Sequence, residues 1–123
     1  MSLRRGQLTI AVLAGVALLG ATPADAGTKR KPQRKTVKVV DNYFGPTKLT
    51  VNLNSTITFK WPSVTGDVHD VALDSGPRGA KFAPSEPAAA QYSFRQKLKK
   101  AGLYRVICTF HEDEMVMSIR VRR

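Results

Sequence analysis

Residues 101–123 read AGLYRVICTFHEDEMVMSIRVRR, and the fold can be read outward from this stretch. Tyr104, Val106 and Cys108 share one parity, while Arg105 falls on the other. Successive side chains of a strand point to opposite faces. The run therefore predicts a strand whose inward row ends at Cys108. Met115, Met117, Ile119 and Val121 repeat the alternation, with Ser118, Arg120 and Arg122 facing out. Two strands are expected, each burying one face, joined by a short loop.

Upstream the same period of two recurs. Residues 36–40 alternate, Leu49, Val51 and Leu53 share a parity, and so do Ile57, Phe59 and Trp61. Residues 42–46 read as a turn. Asn54-Ser55 reads as another, since Asn tolerates the left-handed backbone that such turns need. Residues 62–67 form a loop and 68–73 a further short strand. Residues 75–90 are rich in Gly, Pro and Ala and show no clear period, and 92–96 form one more strand. No segment sustains a 3.6-residue period, and there is no internal repeat or heptad pattern. Many short alternating strands separated by turn signals predict an all-β antiparallel sandwich or barrel.

The N-terminus has the form of an export signal. Arg4 and Arg5 precede a nearly apolar run over residues 8–21, and Ala24-Asp25-Ala26 has the small-x-small form of a cleavage site. The run is shorter than the roughly 20 residues that span a bilayer. Cleavage after Ala26 and a secreted or periplasmic location are expected, with the twin-arginine route open beside the general one. Residues 27–35, GTKRKPQRK, are expected to form a basic flexible tether, and residues 36–123 a single domain. Without Arg4, Arg5 and Asp25 the chain keeps 18 basic and 8 acidic residues, a net charge of +10. Such a charge points to acidic partners. With no recognised nucleic-acid motif, an acidic redox protein, an anionic membrane or a wall polymer is expected rather than nucleic acid.

The chain has one cysteine and two histidines. A lone cysteine in an oxidising compartment is buried, paired between chains or bound to metal. Here Cys108, His111 and Met115 fall within eight residues, and His69 is the other histidine. Two imidazoles, a thiolate and a weak thioether are the donors of a blue-copper site. Met115 is preferred to Met117 because it is the inward residue nearest the loop. Zinc also takes Cys and His, but thioether is a poor zinc ligand. Nucleophilic catalysis by Cys108 with His111 lacks a third group to orient the imidazole. A buried Cys108 serving as a small hydrophobe is the bland alternative.

The residues around these donors resemble a family. Asn42-Tyr43-Phe44-Gly45-Pro46, the run over 51–59, His69-Asp70-Val71, and the segment from Ala101 to His111 with Met115 are similar to the small cupredoxins, blue copper proteins of the plastocyanin, pseudoazurin and amicyanin kind. The resemblance covers roughly residues 36–121. It implies a Greek-key β-sandwich, one copper per chain held by His69, Cys108, His111 and Met115, and a monomeric one-electron carrier rather than an enzyme, with electron exit at His111. Copper scavenging, storage or delivery would use the same ligands. Two histidines are too few for the clusters of a multicopper oxidase or a nitrite reductase. Three departures stand out. Asp70 occupies a position where the family usually has Asn tethering the two copper loops. Three residues separate His111 from Met115, a spacing between the familiar loop lengths. Glu112-Asp113-Glu114 stands where relatives carry Pro, Gly or apolar residues.

Overall fold

The computed structural model describes Gly15 and residues 29–64 and 66–123. The expected signal segment, Gly15 apart, lies outside the described residues, as do residues 27–28 of the expected tether.

Eight strands follow in chain order: β1 Arg34–Val40, β2 Tyr43–Gly45, β3 Lys48–Asn52, β4 Thr56–Lys60, β5 Ala72–Ser75, β6 Ser93–Lys97, β7 Gly102–Ile107 and β8 Val116–Arg122. They form two four-stranded sheets, ordered β2-β1-β4-β6 and β3-β8-β7-β5. The inward rows of both sheets make one core. Val37, Val39, Phe44, Ile57 and Phe59 come from the first, and Val51, Tyr104, Val106, Met117, Ile119 and Val121 from the second. Phe59 holds Phe44 and Phe82 edge-on at centroid distances of 6.1 and 6.3 Å, a favoured aromatic geometry.

The sheets are mixed, not antiparallel throughout. β1 pairs with β4 in parallel, as β3 does with β8. Alternation reports which face a residue takes, not the direction of its neighbouring strand, so the parallel pairs leave no mark in the pattern. β1 also starts two residues before its apolar alternation. Arg34 and Lys35 pair with Thr56 and Ile57. Just before them, Gln33 N–H donates to Ser55 Oγ at 2.8 Å, and Asn52 Nδ2 donates to Lys31 O at 2.8 Å. The partner strand's free backbone groups extend β1 into basic sequence.

Two further expectations change. Residues 42–46, read as a turn, contain β2. The turn is only Asp41-Asn42, with Asn42 at φ 67°, and Val40 pairs directly with Tyr43. The strand expected over 68–73 begins only at Ala72. His69 makes an isolated bridge with Ala88, and Val71 pairs with Ser85 through both backbone and Oγ. The aperiodic 75–90 segment thus supplies the partner that a regular strand would have supplied.

Strand directions sort the loops to two ends. β1, β4 and β7 run toward one end, and β8 leaves from it. Asp41, His69 and residues 108–115 all lie in the loops at that end.

Candidate metal centre

The segment from Cys108 to Met115 is a closed loop. Ile107 pairs with Val116, and one step further Cys108 N–H donates to Met115 O at 3.0 Å. Inside it, His111 N–H donates to Cys108 O at 3.1 Å, and His111 O accepts from Met115 N–H at 2.9 Å and from Glu114 N–H at 3.2 Å. Two successive turns fix the backbone of His111 between Cys108 and Met115. Cys108 and Met115 are both fully buried. Met117 is buried too, one inward step further along β8.

His69 reaches this loop from 39 residues away. Its Nδ1 lies 3.8 Å from Cys108 Sγ, and its ring centroid is 5.2 Å from that of His111. Its backbone is fixed by reciprocal 2.9 Å hydrogen bonds with Ala88, whose carbonyl also accepts from Trp61 Nε1 at 2.9 Å. The ring is completely buried, and its second nitrogen, Nε2, lies 3.0 Å from Asp41 Oδ1. Nothing in the sequence singles out Asp41. Its contact links positions 28 apart through side chains alone, and no periodic pattern marks such a pair.

The electrostatics follow from these contacts. The hydrogen bond from His69, then the backbone N–H of Asp67, hold the Asp41 carboxyl below its ordinary range against desolvation, and the Gly66 N–H adds to them. Burial pushes the Cys108 thiol up, against backbone N–H groups that favour the thiolate. A metal binds a thiol so raised only by displacing its proton.

Among the described residues no three His, Cys, Asp or Glu side chains form a group able to hold a metal by themselves. His69 and Cys108 touch, while His111 approaches ring to ring. One observation tests the fit. His111 Nε2 is buried with no hydrogen-bond partner. A buried polar atom ordinarily has one, and a soft cation would satisfy this nitrogen. The donor types in these segments, thiol, imidazole and thioether, fit copper, the sulfurs favouring its reduced state and imidazole suiting either.

No protein-family model matches the chain, and no curated protein matches it. Solved structures do. A Cu-containing nitrite reductase (NirK) from Thermus scotoductus SA-01 matches with a TM-score of 0.64 and 26% identity, over 79% of this chain and 24% of that one. The present chain thus spans about a quarter of that enzyme. A pseudoazurin from Sinorhizobium meliloti matches with a TM-score of 0.58 and 24% identity, over 74% of this chain and 75% of that one. A purple cupredoxin from Nitrosopumilus maritimus matches at 0.58 and 18% identity, over 72% of this chain and 99% of that one. The chain has a cupredoxin-like fold.

Against the cupredoxin pattern, the Asp70 departure keeps its tethering role. Asp70 Oδ1 accepts from Thr109 N–H at 2.7 Å, and Oδ2 accepts from Thr109 Oγ1. A carboxylate thus joins the His69 segment to the Cys108 loop, accepting from both groups that Thr109 offers. The acidic departure is also visible in space. Glu112, Asp113 and Glu114 are all exposed beside the half-exposed His111. Phe110 precedes them and is 53% exposed, an apolar element within an acidic rim.

Proposed function

We propose that the chain is a secreted or periplasmic type 1 copper protein that carries one electron, holding one copper through His69, Cys108, His111 and Met115. The observation that carries this reading is the 3.8 Å approach of His69 Nδ1 to Cys108 Sγ at the buried end of a cupredoxin-like sandwich. The partnerless His111 Nε2 and the burial of Met115 support it. Copper held there supplies a Cu(I)/Cu(II) couple. The chain's own part is to keep the donors still. The ladder-closed 108–115 loop, the Asp70–Thr109 tether and the His69–Ala88 bridge leave little to rearrange when the charge changes. Met115 tunes the potential, and His111, on the exposed loop, is the electron exit.

The protein is read as a carrier and not an enzyme. The nitrite reductase likeness covers one part of a longer chain, and the proposed copper site would take up both histidines of this sequence. The physiological partner is read as a redox protein, and the +10 body favours acidic proteins or an anionic membrane or wall surface. The carrier is expected to act as a monomer.

Elemental analysis with voltammetry tests the reading. One copper per chain and a reversible one-electron wave are expected. A chain that surrenders its copper readily to an apo-acceptor and shows no reversible wave would instead be a copper-handling protein. Intact mass of the exported form tests the processing. A chain beginning at Gly27 is expected, and one retaining residues 1–26 would indicate an uncleaved anchor.

A further inference from the structure

We propose that Asp41 is the positioning residue of His69, accepting its Nε2–H so that the Nδ1 lone pair faces Cys108. The inference rests on the reading of His69 as a metal ligand.

A neutral imidazole has one N–H and one lone pair, and the partner of one nitrogen decides what the other can do. His69 is fully buried, so the surrounding groups and not bulk water make that choice. Nε2 lies 3.0 Å from Asp41 Oδ1. An ionised carboxylate only accepts, so Nε2 must carry the hydrogen. Nδ1, 3.8 Å from Cys108 Sγ, then presents its lone pair on the side of the thiol.

Asp41 is itself held. Gly66 N–H lies 3.2 Å from Oδ1 and 3.0 Å from Oδ2, and Asp67 N–H lies 3.2 Å from Oδ1. One carboxylate therefore joins the β1–β2 turn, the loop after β4 and the buried imidazole. The approach to Gly66 is so close that a Cβ there would lie 2.5 Å from Asp41 Oδ2. A side chain at position 66 would push the carboxylate aside. The Asp41 side chain is 47% exposed, so replacing it empties no core space. Carboxylates that accept from ligand histidines fix ring orientation and raise donor strength, and losing one costs metal affinity about 10–100-fold.

Two readouts test this on the full chain with Asp41→Asn, Asp41→Ala and Gly66→Ala. The first uses metal-free protein and nitrogen–proton NMR correlation of the His69 ring. The Nε2–H tautomer is expected in the wild type and in Asp41→Asn, whose amide oxygen still accepts. A mixture of tautomers is expected in Asp41→Ala and in Gly66→Ala. The second adds copper. Affinity should fall about 10–100-fold in Asp41→Ala and much less in Asp41→Asn. The potential should rise in both, because a negative charge near the metal favours the oxidised ion. Unchanged His69 ring signals in Asp41→Ala would overturn the proposal, however well copper binds. Loss of the tautomer in Asp41→Ala, in a wild type that takes up no copper, would support the positioning role and overturn the copper reading alone.

Discussion

Cys108 and Met115 end the inward rows of two neighbouring strands, and the alternation of residues 104–121 alone assigns their parity. Met115 and Met117 share that parity, so the sequence separates them only by distance from the loop. Met115→Leu is expected to keep copper and colour while raising the potential, because the axial bond is weak. Met117→Leu should leave the potential unchanged. Voltammetry of both variants checks the assignment, and the opposite pattern would reverse it. Tyr104 carries a second prediction. Its hydroxyl donates to Lys100 O at 2.7 Å, and burial pushes its pKa above the usual 10.0. The unfolded chain then loses this proton at a lower pH than the folded one. The contribution is fully present below pH 10.0 and is lost as pH rises from there through the folded-state value. Tyr104→Phe should cost about 1 kcal/mol at neutral pH through the lost hydrogen bond. Denaturant melts above about pH 10 should show the variant losing less stability with pH than the wild type. Asp41 stays hidden at this scale because an isolated carboxylate before a turn has no pattern that names its partner.

The elements are legible where two neighbours impose alternation and illegible where one side is irregular. β3, β4, β7 and β8 lie close to their expected places, since each turns an apolar row toward the core. β2 is hidden because three residues cannot display a period. The His69 segment departs from the expected strand because its partner is the aperiodic 82–90 stretch, joined through one bridge and the Ser85 hydroxyl. β7 shows how one residue controls an element. Gly102 opens it at φ 140°, and a Cβ there would lie 2.9 Å from Cβ and Cγ of Pro77. That backbone region is open essentially to glycine alone and costs other residues about 1–3 kcal/mol. The clash with a rigid ring adds to this. Gly102→Ala is therefore expected to destabilise by about 2 kcal/mol or more, measured by urea unfolding. A change below about 0.5 kcal/mol, the range of neutral surface substitutions, would contradict it. Because β7 leads directly into Cys108, copper affinity should fall as well.

At the scale of the whole molecule, charge is sorted in a way that the net +10 over residues 27–123 conceals. From residue 27 onward, Asp41, Asp67, Asp70, Glu86, Glu112, Asp113 and Glu114 lie in loops at the site end, leaving Asp74, paired with Arg105, on β5. The outward positions of β1, β4 and β6 carry Arg34, Lys38, Lys60, Arg95 and Lys97 with Thr and Ser and no carboxylate. Composition sets the sign of the total, but only the strand directions separate the two regions. An acidic partner would therefore be steered to the sheet face and repelled by the rim at His111. Exchange with such a partner should be fast at low salt and slow as salt rises, since screening acts over about 8 Å at physiological ionic strength. Neutralising Glu112, Asp113 and Glu114 should speed the reaction if docking occurs at the site end and change little if it uses the sheet face. Salt-independent rates with partners of either charge would remove the electrostatic argument. All of this presupposes copper at the site, and the most direct measurement is the visible absorption of the protein titrated with Cu(II), for wild type and Cys108→Ser. The account predicts an intense thiolate-to-copper band that saturates at one copper per chain in the wild type and is absent in Cys108→Ser. A wild type without the band, or a Cys108→Ser protein that keeps it, would contradict the account.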